Sequence, residues 1–227
     1  MRTIWLFDLD NTLHDASQAA FGYLNREMTA YIVRELGTTE AEADALRRQY
    51  WHRYGATLLG LMRHHGVQAG HFLHHTHRLP GLEERVRGHA HDRAALRRLR
   101  GRRIVLTNAP AAYTARVLEV LGIAHLFEDV IAIEDMRMFG HLRPKPDARM
   151  LRWVAARLGV HPSRCTLVED TLEHQKAAHR VGMRTVWMQR WARAARAAGT
   201  TAAPWHTGRP AYVGRRVSRL SDLVRGR

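Results

Sequence analysis

The alternation of apolar and polar positions divides the chain into two kinds of segment. Short apolar runs bounded by polar or turn-forming residues predict β-strands. These runs are Thr3 to Phe7, Ile104 to Leu106, Val130 to Ile133, Cys165 to Val168, Thr185 to Met188 and a short Ala211 to Gly214. From about Ser17 to Ala95, apolar positions recur at helical spacing without a convincing alternating run. An all-helical insertion is therefore expected between the first two strands.

After the insertion, predicted strands alternate with helical segments, which is typical of an α/β fold. We expect a doubly wound parallel sheet with helices on both faces, built from residues 1–15 and 97–227. The helical insertion would comprise residues 16–96. Near the C-terminus, Arg193 to Pro204 predicts an irregular loop in which a helical turn can occur, and Val217 to Val224 predicts a closing helix. Because open parallel sheets bind ligands at the carboxyl ends of their strands, the candidate site is expected there.

Acidic and hydroxyl residues stand where several predicted strands end. Asp8 and Asp10 follow the apolar run Ile4-Trp5-Leu6-Phe7, and period-two alternation can place both on the same side. Charged side chains seldom end buried strands for stability, so this placement indicates chemistry. Three further groups follow in order: Thr107-Asn108 after a strand, Lys145 between two prolines, and Glu169-Asp170 after a strand.

These four groups, in this order, resemble the four motifs of the haloacid dehalogenase-like (HAD) hydrolase superfamily. The first motif is matched by Asp8-Leu9-Asp10-Asn11-Thr12, and the third by Arg143-Pro144-Lys145-Pro146-Asp147. The resemblance implies a Rossmann-like core and a Mg²⁺-dependent phosphomonoester hydrolase with an aspartyl-phosphate intermediate. In that scheme Asp8 is the nucleophile and Asp10 the general acid and base.

The resemblance also implies roles for the other motif residues. Asp8, Asp170 and the backbone carbonyl of Asp10 would hold Mg²⁺, with Glu169 acting through a water molecule. The Thr107 hydroxyl would donate to phosphoryl oxygens, and Lys145 would supply a fixed positive charge. The Asn108 backbone N–H would be a second phosphate donor. This reading requires Asp8 and Asp170 to meet around one divalent ion.

The insertion resembles the helical C1 cap of HAD phosphatases, and we expect the residues that select the substrate to lie within it. The segment from Tyr54 to Leu61, together with Phe7 to Leu13, resembles the pyrimidine 5′-nucleotidase branch, whose substrates include UMP and CMP. Asn11, Tyr54 and Thr57 are therefore candidate specificity residues, and nearby glycines would permit close approach between cap and core. Helix packing explains Tyr54 and Thr57 equally well, and Asn11 fits a simple turn.

Several alternatives remain beside the nucleotidase. A phosphatase for another small metabolite, such as phosphoglycolate or a sugar phosphate, would use the same mechanism. A dehalogenase is disfavoured because the dehalogenases that the chain resembles lack a second catalytic aspartate, whereas Asp10 is present. A basic binding module with vestigial activity is disfavoured by the intact motifs.

Composition narrows the partners and the compartment. The formal net charge is +15, yet the arginines are spread along the chain, so specific nucleic-acid binding is not expected, although the positive field could attract anionic substrates. The resemblance to HAD hydrolases implies a small phosphorylated metabolite as the partner. Of 36 basic residues only Lys145 and Lys176 are lysines, which marks Lys145 as a directed choice. The single cysteine, Cys165, is expected to be an inert core thiol in a reducing compartment. With no visible leader or membrane span, a cytoplasmic location is expected. The sequence does not indicate an oligomeric state.

The chain also contains 16 histidines, whose densest group lies in the predicted insertion. This group is His64, His65, His71, His74, His75 and His77. No cysteine or paired carboxylate stands nearby to complete a zinc site. Solvated histidines on a helical surface are the favoured interpretation.

Overall fold

A computed structural model describes residues 3–197 and 208–224. The chain divides into two compact units, which are described separately. The core unit comprises Met1–Ser17 and Val86–Arg227, and the inserted unit comprises Gln18–Arg85. Within the described ranges, no helix is both long and apolar enough to cross a membrane.

The core unit contains a six-stranded parallel sheet in the order β3-β2-β1-β6-β7-β8. Its strands are β1 Ile4–Phe7, β2 Arg102–Leu106, β3 Asp129–Ile131, β6 Cys165–Glu169, β7 Arg184–Met188 and β8 Arg215–Val217. A separate antiparallel hairpin pairs β4 Arg137–Met138 with β5 His141–Leu142. The expected parallel α/β architecture is confirmed.

Helices flank the sheet of the core unit. They are α6 Asp92–Arg98, α7 Ala111–Val120, α8 Ala148–Arg157, α9 Leu172–Arg180, α10 Arg190–Ala197 and α11 Ser221–Val224. Short 3-10 turns occupy Ala124–Leu126, Ile133–Asp135 and Pro162–Arg164. Helix α8 shows why such segments fold: the Asp147 carboxylate caps its first turn, and Met150, Leu151 and Val154 form a buried apolar stripe.

The inner face of the sheet is apolar at alternate positions of its central strands. Ile4 and Leu6 of β1 share one core cluster with Ile104 of β2 and with Cys165 and Leu167 of β6. Burial raises the pKa of the Cys165 thiol to about 11, so this cysteine behaves as a packing residue. The apolar cluster thus lies in the middle of the sheet, and the acidic residue Glu169 stands at the carboxyl end of β6.

The inserted unit contains helices and no strand in residues 18–85, all of which the structure describes. Its helices are α1 Gly22–Leu36, α2 Glu40–Tyr54, α3 Thr57–His65, α4 Ala69–Thr76 and α5 Leu82–Arg85, preceded by a π-helical turn at Ser17–Phe21. A capping box of Thr39 and Glu42 starts α2. A Cβ on Gly60 of α3 would lie 2.2 Å from the Tyr50 ring, so this glycine serves close packing of α3 on α2 within the unit.

Four predicted boundaries differ from the structure. Residues 86–96 were expected in the insertion but belong with the core, where α6 packs on α11 and Asp92 accepts a hydrogen bond from Arg190. In the segment expected as a loop with a helical turn, Arg193 to Pro204, helix α10 continues to residue 197 and leaves no irregular loop up to that point. Residues 198–207 lie outside the described residues.

The last strand was also misplaced. The predicted strand Ala211 to Gly214 is wrong: a turn precedes Gly214, and sheet pairing begins only at Arg215. The Thr185 hydroxyl holds this turn, since it donates to the Tyr212 carbonyl and accepts from the Gly214 N–H, both at 2.8 Å. The closing helix begins at residue 221 instead of 217, because Val217 ends β8.

Candidate functional site

The site is assembled from the ends of three neighbouring strands. Strand β1 lies between β2 and β6, and its last residue, Phe7, is in register with Val105 and Val168. The Asp8 N–H then donates to the Val168 carbonyl at 3.0 Å, which fixes the backbone just beyond the strand. Residues that follow these three strands are therefore brought together at one edge, although they are distant in sequence.

Three carboxylates converge at this edge. Oxygens of Asp8, Glu169 and Asp170 lie within 4.8 Å of one another, with Asp8 and Glu169 buried. Within residues 3–197 and 208–224, no other group of three or more histidine, cysteine or acidic side chains is close enough to hold a metal ion. An all-oxygen cluster of this kind fits a small, hard divalent cation such as Mg²⁺. Asp8 and Asp170 do meet in one place, as the sequence interpretation required.

A buried lysine pairs with two of these carboxylates. Lys145 Nζ donates to Asp8 Oδ1 at 2.7 Å and to Glu169 Oε2 at 2.8 Å. The Asn108 side chain holds the lysine backbone from both sides: its Oδ1 accepts from the Lys145 N–H and its Nδ2 donates to the Lys145 carbonyl, each at 2.9 Å. Sequence reasoning assigned only the Asn108 backbone N–H and missed this clamp, because nothing in the sequence pairs residues 108 and 145.

The charges in this cluster shift one another's pKa values. Burial, followed by repulsion from Glu169, raises the pKa of Asp8 to about 7, although Lys145 opposes the shift. Burial, followed by repulsion from the Glu169 and Asp8 carboxylates, raises the pKa of Asp170. Burial would also raise the pKa of Glu169, but Lys145 and then His174, whose Nδ1 lies 2.9 Å away, hold it below its usual value.

The lysine itself stays charged. Burial alone would lower the pKa of Lys145, but the adjacent Asp8 and Glu169 carboxylates outweigh burial and raise it. One ammonium group therefore contacts two of the three carboxylates in the cluster. The remaining negative charge favours binding of a second cation beside Asp8 and Asp170.

Asp10 has different surroundings from the cluster. Its Oδ1 accepts a hydrogen bond from the Tyr113 hydroxyl at 2.8 Å and lies 2.8 Å from His14 Nε2. Burial, then the Asp10 charge, raises the pKa of Tyr113, so this phenol stays protonated. Sequence reasoning missed both partners. The spacing of four between Asp10 and His14 was a usable signal, whereas nothing in the sequence linked Tyr113 to either residue.

Comparison with known proteins identifies the family. A family model described as haloacid dehalogenase-like hydrolase matches residues 4–182. The chain belongs to this family. The resemblance of its four motifs to the HAD hydrolases is thereby confirmed.

Two curated proteins are similar to this HAD hydrolase over part of their length. It is 23% identical over 195 residues to phosphate metabolism protein 8 of Saccharomyces cerevisiae, covering 80% of this chain and 60% of that protein. It is 35% identical over 80 residues to fructose-1-phosphate phosphatase YqaB of Escherichia coli, covering 35% of this chain and 40% of that protein. The chain spans about half the length of these curated relatives.

Solved structures share the fold. A HAD phosphatase from Thermococcus onnurineus superposes with a TM-score of 0.62 at 18% identity, covering 99% of this chain and 97% of that chain. The putative HAD-hydrolase YfnB from Bacillus subtilis, bound to magnesium, superposes with a TM-score of 0.60 at 16% identity, covering 99% of this chain and 97% of that chain. L-2-haloacid dehalogenase from Xanthobacter autotrophicus superposes with a TM-score of 0.60 at 19% identity, covering 99% of this chain and 98% of that chain. At these identities the similarity shows the fold alone.

The other candidate residues of the core unit of this HAD hydrolase occupy defined positions. Thr107 is buried beyond β2, and its Oγ1 accepts from the Ala109 N–H at 3.0 Å, which leaves the hydroxyl hydrogen available as a donor. Asn11 adopts a left-handed φ of 55°, and its Oδ1 accepts hydrogen bonds from the Ser17 N–H and hydroxyl at 3.0 and 3.1 Å. These contacts favour the turn-shaping interpretation of Asn11.

The two candidates in the inserted unit differ from each other. Thr57 is buried, and its hydroxyl donates to the Arg47 carbonyl at 3.0 Å, which favours the packing interpretation. Tyr54 is half-buried, and its hydroxyl lies 2.6 Å from His64 Nε2. Two guanidinium groups, of Arg53 and Arg63, lie 5.5 and 6.0 Å from its ring centroid. Of these two candidates, Tyr54 therefore offers an aromatic ring beside arginines that could attract an anionic ligand.

The histidine-rich segment contacts tyrosines of its own unit. His71 Nδ1 lies 2.8 Å from the Tyr31 hydroxyl, and the His71 and His75 ring centroids are 4.3 Å apart. His65 Nε2 lies 2.8 Å from the Tyr50 hydroxyl. Burial and nearby positive groups lower the pKa of His75. His64, His65, His71 and His74 are nevertheless exposed, which agrees with the expected solvated histidines on a helical surface.

Proposed function

We propose that this HAD hydrolase is a Mg²⁺-dependent phosphomonoesterase that works through an aspartyl-phosphate intermediate. The observation that carries the proposal is the convergence of Asp8, Asp170 and Glu169 with the buried Lys145 at the carboxyl edge of the sheet. A nucleophile, a fixed cation and a carboxylate cluster for a second cation are the groups that phosphoryl transfer from a dianionic ester needs.

The chemistry divides into two displacements. An oxygen of Asp8 attacks phosphorus, the bond from phosphorus to the ester oxygen breaks, and Asp10 gives its proton to the departing alcohol. Asp10, now a carboxylate, takes a proton from water as that water attacks the phosphorus. The bond from phosphorus to Asp8 then breaks, which releases inorganic phosphate and restores both side chains.

The cation site would be formed by the Asp8 and Asp170 side chains and the backbone carbonyl of Asp10. Bound Mg²⁺ would supply charge neutralisation between the nucleophile and the phosphoryl group. Because Glu169 Oε2 already accepts from Lys145 Nζ, Glu169 is proposed to act through a water molecule and to hold the lysine. The magnesium bound to YfnB, a protein of the same fold, supports this choice of cation.

Thr107 and Lys145 are proposed to bind the phosphoryl oxygens. Lys145 keeps its charge while buried, and the Thr107 hydroxyl retains a hydrogen to donate. The Asn108 backbone N–H would be a further donor, while the Asn108 side chain holds Lys145 in place. These donors are fixed before substrate arrives, so little reorganisation accompanies phosphoryl transfer.

Pyrimidine nucleoside 5′-monophosphates, such as UMP and CMP, are our proposed substrates. The inserted unit, residues 18–85, would act as a C1 cap that selects the leaving group. The resemblance of Tyr54 to Leu61 to the pyrimidine 5′-nucleotidase branch supports this substrate class. A ring with arginine neighbours at Tyr54 also suits a base and its phosphate. Asn11 and Thr57 are weaker candidates, because their polar atoms are already bonded within their own units.

A sugar phosphate or phosphoglycolate is the alternative substrate. The similarity to fructose-1-phosphate phosphatase YqaB favours this alternative. A haloacid is disfavoured despite the fold shared with L-2-haloacid dehalogenase, because Asp10 provides the proton that an alcohol leaving group needs.

The test is a substrate panel measured with Mg²⁺ and with EDTA. Initial rates of phosphate release from UMP, CMP, fructose 1-phosphate and phosphoglycolate, and of chloride release from 2-chloropropionate, separate the alternatives. We expect Mg²⁺-dependent phosphate release that is fastest with UMP or CMP. Faster hydrolysis of fructose 1-phosphate would move the assignment to the sugar phosphatase, and chloride release would overturn the phosphatase proposal.

The nucleophile is tested by Asp8→Asn, which keeps the shape of the side chain but removes its nucleophilic charge. We expect turnover to fall at least about 10³-fold, equivalent to about 4 kcal/mol of barrier, with an unchanged circular dichroism spectrum. Asp129→Asn is the matched control, since Asp129 begins the distant strand β3. Retained turnover in Asp8→Asn would refute the assigned role.

A further inference from the structure

We infer that His14 and Tyr113 are positioning residues that anchor one oxygen of Asp10 and leave the other facing the leaving group. The inference deepens the proposed function and rests on it. The geometry is a triangle: Tyr113 donates to Asp10 Oδ1 at 2.8 Å, His14 Nε2 lies 2.8 Å from the same oxygen, and the hydroxyl and imidazole are 3.3 Å apart.

Both contacts fall on the same carboxylate oxygen. Among the residues that the structure describes, none donates a hydrogen bond to Asp10 Oδ2, and the Asp10 side chain is 21% exposed. Rotation about the last bond of an aspartate side chain is otherwise broad, so an unanchored carboxylate would sample many orientations. With Oδ1 held from two sides, Oδ2 is the oxygen left to exchange a proton with the ester oxygen.

The anchors themselves are immobile. His14 and Tyr113 are both almost completely buried, so their rotamers are fixed by packing. His14 lies on the turn after β1, where the Leu13 N–H donates to the Leu9 carbonyl at 2.8 Å. Tyr113 lies in the first turn of α7, just beyond the end of β2. The two strands that deliver Asp8 and Thr107 therefore also deliver the two anchors.

The hydrogen-bond inventory of His14 assigns its tautomer. His14 Nδ1 is buried and has no partner among the described residues. A proton on Nδ1 would leave a buried N–H unsatisfied, which is unfavourable, and would turn a lone pair on Nε2 towards the carboxylate. The proton therefore belongs on Nε2, from which His14 donates to Asp10 Oδ1. Two donors on one oxygen define a fixed orientation that a general acid needs within hydrogen-bond reach of its target.

The experiment compares an ester that needs proton donation with one that does not. We would measure kcat/KM for glycerol 2-phosphate, an alkyl ester, and for 4-nitrophenyl phosphate, whose leaving group departs as an anion. In Tyr113→Phe and in His14→Leu, we expect the alkyl-to-aryl ratio of kcat/KM to fall about tenfold. His14→Gln, which restores an N–H donor near the position of Nε2, should keep the ratio within about threefold of wild type.

The matched control is Tyr31→Phe in the inserted unit. It removes a buried hydroxyl that also lies 2.8 Å from an imidazole nitrogen, Nδ1 of His71, and should leave the ratio unchanged. The ratio does not depend on the fraction of active protein, so partial misfolding of a variant cannot imitate the effect. If Tyr113→Phe does not fold, the comparison of His14→Leu with His14→Gln decides the question.

The possible results distinguish failure of the positioning role from failure of the proposed phosphatase activity. Equal losses on both esters, or an unchanged ratio, would overturn the positioning role while wild-type turnover still supported the phosphatase. An alkyl-to-aryl ratio of kcat/KM that falls as far in His14→Gln as in His14→Leu would also overturn the positioning role. Absence of wild-type phosphate release from UMP and CMP as well as from both esters would refute the proposed function and this inference together.

Discussion

Replacement of the buried lysine by an uncharged side chain of similar length, Lys145→Met, tests the electrostatics of the site directly. The Lys145 side chain is 1% exposed, and those of its partners Asp8 and Glu169 are 9% and 1% exposed, so water screens these pairs little. The variant would leave closely spaced carboxylates without their fixed cation. We expect a less stable protein, even though methionine fills most of the same volume.

The size of the effect follows from the two contacts. Lys145 Nζ makes hydrogen bonds of 2.7 and 2.8 Å to ionised groups, each worth about 1.5–3 kcal/mol. Removal of one partner from a buried ion pair costs about 3–5 kcal/mol. Protonation of Asp8 relieves part of this, so we expect about 3 kcal/mol at pH 8. For a chain of this size, that lowers Tm by about 6–12 °C.

The assay is urea unfolding at pH 8 in EDTA, with Lys176→Met as the matched control. Lys176 is the only other lysine and is exposed, so its substitution should change the free energy of unfolding by less than about 0.5 kcal/mol. Loss of Lys145 removes a group that lowers the pKa of Asp8, so the deficit should shrink as the pH falls towards 5 and the carboxyl binds a proton. A loss no larger than that of the control would refute the reasoning.

Two further predictions concern the cation site and the inserted unit. Asp8 and Asp170 have raised pKa values in the folded protein, so this state binds more protons than the unfolded one between about pH 4 and 7. Without metal, these groups make the free energy of unfolding fall as the pH rises through that window. Because Mg²⁺ competes with the protons, the increase in Tm on adding Mg²⁺ should be larger at pH 8 than at pH 5.5. A smaller increase at pH 8 would contradict this prediction. In the insertion, Gly60→Ala places a Cβ 2.2 Å from the Tyr50 ring and should destabilise by about 1–3 kcal/mol. Gly70→Ala, in an exposed helical position with no atom within 4 Å, should instead raise the free energy of unfolding by about 0.5–1 kcal/mol. Equal effects of the two substitutions in urea unfolding would show that the α2–α3 contact is not tight.

Local apolar patterning was sufficient to find the sheet's central strands. The run that ends at Phe7 is wholly apolar, and the run that begins at Cys165 is apolar except for Thr166, because both strands lie in the middle of the sheet and are largely buried. Three motifs at strand ends, together with Lys145 before a helix, then indicated where Asp8 and Asp170 would meet. The last strand failed because the decisive contact, between Thr185 and the turn before Arg215, lies outside the segment itself. Two-residue strands such as β4 carry too little pattern to be recognised.

Sequence reasoning found the residues that the proposal assigns to chemistry better than those that hold them in place. Asp10 and Lys145 were identified because charged side chains at strand ends or between prolines are unusual. Their partners were missed, since a buried tyrosine or an asparagine in a loop looks like packing or a turn until the fold is known. Tyr113 reaches Asp10 from 103 positions away, and Asn108 clamps Lys145 from 37 positions away. Such pairings are properties of topology and not of local pattern.

The position of β1 within the sheet has a consequence for synthesis. Both neighbours of β1 come later in the chain, and pairing with β6 through Phe7 and Val168 must wait until the ribosome has added 161 further residues. At about 5–20 residues per second, the apolar strand emerges about 8 to 30 s before its last partner exists. A nascent chain would therefore carry an unpaired hydrophobic strand next to the future nucleophile, and we expect its yield to depend on chaperones that cover that strand during translation.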